Sequence, residues 1–571
     1  MAASTVHPPQ QADSPNLTPD ESRDLSPRGR RAISTGAAIL AAFCAIALLV
    51  PVIAAPVNAD DRYWYMMIGW RAEGSILEVL RWSWEHISVE VQSGRLATLA
   101  GFERRLVGMA VIEAAVATSI PIVVYQALVK LLLAGGGFLS CLAFVRSLRW
   151  RDTDGRLIRA GRRTWLLVGV GGMLALAVGA QAHSQFRNGW TSYPVFTYGA
   201  VIFIFGSVAL LLWLTRLVAD RSKAMTAAAV VVLLLLAAAT NLSYELVYPA
   251  VPVAAAALAV VPVTDRAHRS AGRRAKLLTG SAYLGGFAVI FIVMRLYLTN
   301  ACARNECYEG TQVELGPDTV RTVLYNLVTA VPGAGGTELL ADLDAVGWAD
   351  RYPVLPNVWS VTVGLGAVAA LLLVWWATRL DDLVPRSGDS VGHNSRWAEA
   401  VLLAVGAGLS LLVAFGTAGV MGLSGQAQEI ISAPGTAYRN TMVTWTALAL
   451  ALVLVVCAGR IVLPRRGGIV AWASLAVVIG TIGALTLPGN LMATRANRIG
   501  LAVPEEINWE VALGDTTPGS DARRCALYEQ LEGVGMAERA RTAVYVNANA
   551  AFDHYHGQAF CSDPAYPGGA R

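Results

Sequence analysis

Eleven apolar stretches, each roughly 17 to 25 residues long, constrain this chain more than any other feature. They lie at 33–55, 119–146, 164–182, 193–215, 224–241, 243–263, 277–298, 357–378, 398–417, 440–459 and 468–488. A helix of that length covers the ~30 Å hydrocarbon core of a bilayer. The pattern predicts an all-α polytopic membrane protein with about 11 transmembrane helices. Charge content agrees: only 15% of the 571 residues are Asp, Glu, Lys or Arg, whereas soluble domains carry about a quarter.

The loops between these stretches set an orientation. Those after the second, fourth, sixth, eighth and tenth stretches are short and basic. Arg146, Arg149, Arg151, Arg156, Arg159, Arg162 and Arg163 crowd the first of them. Arg266, Arg269, Arg273, Arg274 and Lys276 crowd the third, and Arg460, Arg465 and Arg466 mark the last. Basic loops stay on the cytoplasmic side, which predicts an N-in, C-out topology. The opposite loops, at 56–118, 299–356, 418–439 and 489–571, are long and hold most of the acids. Three of the 45 basic residues are Lys; so strong a preference for Arg reflects genome composition, and no nucleic-acid surface is expected.

Three regions follow. Residues 1–32 are polar, rich in Pro and Ser, and end in Arg28-Gly29-Arg30-Arg31; they read as a disordered cytoplasmic tail before a retained first helix. Residues 33–488 form the multi-span domain, and 489–571 a small extracytoplasmic segment in which Thr542 to Ala548 reads as a strand. Within the 56–118 loop, Ile68 to Leu80 and Val89 to Leu106 mix aliphatic, aromatic and charged residues at helical spacing. Short helices along the membrane surface fit that pattern, with Trp64, Trp70, Trp82 and Trp84 at headgroup level.

Cysteines test the orientation independently. Cys44, Cys141 and Cys457 fall inside apolar stretches, where a thiol acts as a small apolar group. Cys302, Cys307, Cys525 and Cys561 all fall outside, in two local pairs. An oxidising compartment favours the bridges Cys302–Cys307 and Cys525–Cys561 over a zinc site.

Polar residues of the predicted outer face suggest chemistry. Asp60 and Asp61 sit side by side just beyond the first stretch. Adjacent carboxylates repel, which raises one pKa and suits it to act as a base near neutral pH. Arg95, His183, Arg187, Glu245, Tyr438 and Arg439 fall at the same membrane level. Guanidinium forks bind phosphate oxygens and stabilise a leaving phosphate. Each residue also has a plain reading: a solvated helix end for the Asp pair, interfacial packing for Arg95, idle loop positions for His183 and Arg187. Lys130 lies inside the second stretch, with Glu113 as a partner toward its outer end. Walker, dinucleotide Gly-rich, His-Glu-x-x-His and Gly-x-Ser-x-Gly motifs are all missing, so those chemistries lack an anchor.

Asp60-Asp61-Arg62-Tyr63-Trp64, Ser93-Gly94-Arg95, Ser243-Tyr244-Glu245-Leu246 and Tyr438-Arg439, set in this topology, resemble the GT-C glycosyltransferases. The chain looks most like the bacterial branch that decorates envelope polysaccharides, including arabinofuranosyl- and glucosyl-type enzymes. The resemblance implies a polyprenyl-phosphate-linked sugar donor, an envelope glycan acceptor and inversion at the sugar. It further implies Asp60 or Asp61 as the base. Arg95, Arg187 and Arg439 would meet the donor phosphate, and Glu245, His183, Tyr63, Trp64 and Tyr438 the sugars. No cofactor is required; a divalent cation would have the Asp pair and water as a thin ligand set. Two other readings stand beside it. A lipid-linked-oligosaccharide flippase predicts intramembrane charge, met by Lys130, and an internal repeat, which is missing. A glycan polymerase or ligase would use the long 299–356 loop with Asp318, Arg321, Asp342 and Asp344.

The orientation has a direct test. A reporter enzyme active only outside the cell should be inactive when fused after Arg156, Arg269 or Arg465, and active after Glu314 or Asp521.

Overall fold

A computed structural model describes residues 27–57, 61–182, 193–220, 223–304, 307, 312–345, 356–380, 393–437, 439–533 and 538–566. For some helix residues, 61–64 among them, it describes the backbone alone. Asp60, His183, Arg187 and Tyr438 lie outside the described residues, as do the side chains of Asp61, Tyr63 and Trp64.

The chain opens with α1 (Pro27–Ile53), followed by α2 (Asp61–Ala72), α3 (Ile76–Glu85), α4 (Ile87–Gln92) and α5 (Thr98–Thr118). Next come α6 (Ile122–Ser147) and the short strands β1 (Trp150–Arg151) and β2 (Leu157–Ile158), paired antiparallel with Trp150 opposite Ile158. Then follow α7 (Arg162–Ala177), α8 (Pro194–Asp220), α9 (Lys223–Leu242) and α10 (Ala250–Val260). Helices α11 (Arg269–Gly280) and α12 (Gly286–Cys302) run on through the π turn Ser281–Gly285. The helices α13 (Pro317–Ala330) and α14 (Gly336–Ala345) precede α15 (Val358–Leu380), α16 (His393–Gly422), α17 (Gly425–Ile430), α18 (Thr441–Val462) and α19 (Arg465–Gly500). The chain closes with α20 (Ala502–Leu513), α21 (Ser520–Gly533) and α22 (Glu538–His556).

All eleven expected stretches are helical, and the protein is an all-α polytopic membrane protein. Among the described residues nine helical runs have the length and apolarity to cross a bilayer: α1, α6, α8, α9, α11–α12, α15, α16, α18 and α19. The other two stretches are shorter than expected. α7 has 16 residues and α10 has 11. α10 stops because Pro262 follows, and the residue before proline avoids helical geometry. α7 stops where Gly179, Ala180 and Gln181 leave the helix. There the Ala182 N–H donates to Asn490 Oδ1 (2.9 Å) and Asn490 Nδ2 donates to the Ala180 carbonyl. Irregular backbone at membrane depth is tolerated where protein groups satisfy it.

Two further expectations change. Thr542–Ala548 is not a strand but part of α22. Its alternation spans too few residues to outweigh the helical period of Val544, Tyr545, Ala548, Ala551 and Phe552, all buried. Those residues pack on Tyr528 and Phe560 and on Met66 and Trp70 of α2, so the C-terminal helices form one core with the first outer loop. The disulfides Cys302–Cys307 and Cys525–Cys561 are both present, and Cys44, Cys141 and Cys457 are free and buried. Among the described residues the 56–118 loop is largely helical, but the stretches Ile68 to Leu80 and Val89 to Leu106 are each broken by a turn, at 73–75 and 93–97. Ser119, in left-handed geometry with φ 53°, separates α5 from α6.

α15 and α19 come together through small residues. A Cβ at Gly364 would sit 2.5 Å from the Gly480 carbonyl oxygen, and one at Gly480 would sit 2.7 Å from that of Gly364. Backbones approach so closely only where both partners lack a side chain. Gly480→Ala should therefore cost about 1–3 kcal/mol through overpacking, seen as a lower thermal midpoint in detergent. An unchanged midpoint would show that the two helices do not touch there.

Candidate functional site

The segment that delivers the Asp motif is fixed by α6. Lys130, fully buried, donates to the carbonyls of Ala55 (2.6 Å) and Ile53 (3.4 Å). One turn earlier, Gln126 Oε1 accepts from the Val57 N–H at 3.1 Å. A buried donor over the last carbonyl of α1 and the turn after it satisfies their orphaned lone pairs. Glu113 is not its partner: Glu113 accepts instead from the Tyr555 hydroxyl at 2.7 Å. The carboxylate that acts on Lys130 is Glu505 of α20. Burial pushes the Glu505 carboxyl up to about 7, and Lys130 pulls the other way. Asp61 is the first residue of α2, where the helix dipole favours a carboxylate.

Farther along the same loop, α4 ends in Ser93-Gly94-Arg95. Gly94 takes a φ of 77° that a side chain would resist, and the Arg95 N–H returns to the Glu90 carbonyl at 2.9 Å. This turn sends the Arg95 side chain across to Glu245, the first residue of the 3-10 turn between α9 and α10. The two form a fork: Arg95 Nε to Glu245 Oε1 at 3.4 Å and Nη2 to Oε2 at 3.2 Å. The guanidinium also lies 5.3 Å from the centre of the Tyr244 ring. Burial pulls the Arg95 pKa down, but attraction to Glu245 and Tyr244 outweighs it and the net direction is up. Arg95 is therefore a permanent cation held in one pose.

Arg95 and Glu245 line a cleft of about 630 Å³ that also takes in Arg439 and Arg295. Arg439 arrives just ahead of α18, whose N-terminus adds partial positive charge. Arg295 projects from α12, 5.3 Å from the Phe291 ring centre. Tyr248 and Phe291 give the cleft aromatic walls, and Gln312, Gln426 and Thr436 supply polar groups. Among the described lining residues three guanidiniums stand with one carboxylate, and the balance of these is positive. Such a basic, partly apolar cleft suits an anionic group joined to something apolar or ring-shaped.

Arg95, Glu245 and Arg439, drawn from segments far apart in the chain, share this cleft. Asp61 is located through its helix, and Asp60, His183, Arg187 and Tyr438 fall outside the described residues. Arg295, Tyr248 and Phe291 were missed. Arg295 carried a readable signal, a cation near the outer end of the expected 277–298 span, which passes for a snorkelling residue. Among the described residues no three His, Cys, Asp or Glu side chains converge to hold a metal ion. Comparison with known protein families, with curated proteins and with solved structures finds no match.

The Arg95–Glu245 fork is partly shielded from water, with side chains 30% and 27% exposed. A double-mutant cycle with Arg95→Ala and Glu245→Ala should return a coupling on the order of 1 kcal/mol. Additive effects on the unfolding midpoint would mean that the pair does not form.

Proposed function

We propose that this protein is a glycosyltransferase of the bacterial plasma membrane, acting on its extracytoplasmic face in the manner of the GT-C enzymes. The N-terminus is cytoplasmic in this reading, and α7 and the Glu245–Val260 helix complete eleven crossings. The donor is a sugar on polyprenyl phosphate, and the acceptor is an envelope glycan. The observation that carries the proposal is the cleft in which Arg95, Glu245, Arg295 and Arg439 meet beside Tyr248 and Phe291.

The chemistry follows from the charges. An acceptor hydroxyl attacks the anomeric carbon as its bond to the donor phosphate oxygen breaks, and the sugar inverts. The electron pair leaves with polyprenyl phosphate, whose growing charge falls to Arg439 and Arg295. Preorganised cations aimed at developing charge lower the barrier most effectively in a site that excludes water. Arg95 is already engaged by Glu245, so its part is to orient that carboxylate toward a sugar hydroxyl while adding to the positive field. Asp60 or Asp61 takes the acceptor proton. Arg187, His183, Tyr63, Trp64 and Tyr438 complete the donor and acceptor contacts. A glycan polymerase or ligase is the second reading, favoured by one observation: Gln312 and Val313, from the 299–356 loop, line the same cleft.

The test is transfer of labelled sugar from polyprenyl phosphate in membranes. Replacing the base, Asp60→Asn or Asp61→Asn, should cost about 10²–10⁴-fold in rate, and Arg439→Ala should chiefly weaken donor use. Full activity in both Asp variants would overturn the mechanism. A product lengthened by whole repeat units in place of single sugars would select the polymerase.

A further inference from the structure

α13 is built inside out. Val320, Leu324 and Val328, four residues apart and so on one face, are 61%, 55% and 47% exposed. Thr322, Asn326 and Thr329, on the opposite face, are 0% exposed. A surface helix in water turns its apolar stripe inward and its polar stripe outward. We propose that α13 is a re-entrant helix sunk into the outer leaflet, with lipid acyl chains covering the face Val320–Leu324–Val328. This goes beyond the transferase reading and does not depend on it.

The backbone supports the proposal. After Ala330 the chain leaves the helix and turns through Gly333, at φ 93°, into α14. In hydrocarbon every backbone group of such a turn needs a partner from the protein. Gln181 supplies several of them. Its Nε2 donates to the carbonyls of Thr329 (3.3 Å) and Val331 (3.1 Å), and its Oε1 accepts from the Gly333 N–H at 2.6 Å. The buried polar face bonds in part within α13 and to the neighbouring loop, with the Thr322 hydroxyl and Asn326 Oδ1 left without a partner among the described residues. Asn326 Nδ2 donates to the Thr322 carbonyl at 2.8 Å, and the Thr329 hydroxyl donates to the Tyr325 carbonyl at 2.6 Å. The same hydroxyl oxygen accepts from the Gly435 N–H at 2.8 Å.

Placement and length agree. Ala330 joins the apolar core of the spanning helices, so the C-terminal end of α13 lies among them and not above them. At the other end, Val323 and the Thr319 carbonyl crowd Gly422, the last residue of α16. The 14 residues of α13 span about 21 Å at 1.5 Å per residue, too short to cross and typical of a re-entrant segment. Its charges gather at the N-terminal end, where Asp318 and Arg321 pair at 3.1 Å, half-exposed. That end belongs at the headgroups and the Val328 end deeper. The spanning helix α16, against which α13 packs, also exposes an apolar side chain, Phe415, near that end.

Site-specific quenching tests this in the full-length protein. The three free thiols are buried and the other four cysteines are bridged, so a single added thiol can be labelled. Val320→Cys, Leu324→Cys and Val328→Cys would carry a small neutral fluorophore in proteoliposomes, with Thr516→Cys in the C-terminal segment as an exposed control. Quenching by lipid-borne nitroxide should be several-fold stronger at all three than at 516. A shallow nitroxide should favour position 320 and a deep one 328, while aqueous iodide should quench only 516. Iodide quenching of 324 equal to that of 516 would overturn the proposal by placing this face in water. Insensitivity to both quenchers would overturn it too, in favour of cover by protein such as a second copy. Three positions are used so that one variant failing to fold leaves the gradient measurable.

Discussion

A backbone group inside the apolar layer must find its partner within the protein, and the organisation of this molecule around its first long loop follows from that requirement. At three places among the described residues where the chain leaves helical geometry, buried side chains complete the hydrogen bonds. Lys130 and Gln126 serve the end of α1. Asn490 serves the end of α7, and Gln181 the turn between α13 and α14. Each donor or acceptor stands on or beside a helix of the bundle core. The irregular segments are therefore held by rigid elements, and those segments bring the charged residues together.

The cleft inherits its charge pattern from this arrangement. Arg95 and Glu245 come from two turns, one between α4 and α5, the other between α9 and α10, and their fork ties the first outer loop to the spanning domain. With Glu245 engaged by Arg95, Arg295 and Arg439 tip the lining toward positive charge, one from a spanning helix and one from a loop ahead of α18. A cation fixed on the side of a helix keeps its position without a ligand.

Much of this was legible in the amino-acid order because the governing signals are local. Long apolar stretches announce their helices, and cysteines segregate by compartment. Arg95, Glu245 and Arg439 were readable because charged residues at the edges of apolar stretches are costly and few. What escaped depends on pairing across the chain. Tyr555 takes Glu113 away from Lys130 through a contact spanning more than half of the sequence. α22 buries its helical face only because α2 and α21 are there to receive it, and no seven-residue window shows that. The short α7 reflects Asn490, a residue from α19. α13 misleads for the opposite reason: its period is plainly helical, but which face is buried is decided by its neighbours.

The C-terminal helices add a last constraint on the Asp motif. Trp70 of α2 donates to Asn547 of α22 at 3.2 Å, and Tyr555 of α22 reaches Glu113 of α5. Met66 of α2 is buried in the same core as Tyr528 and Phe552. The chain just before the Asp pair is gripped by α6, and the helix that Asp61 begins is gripped by α22. The C-terminal helices act as a brace. It holds the first outer loop against the bundle, and the Cys525–Cys561 bridge keeps that brace closed.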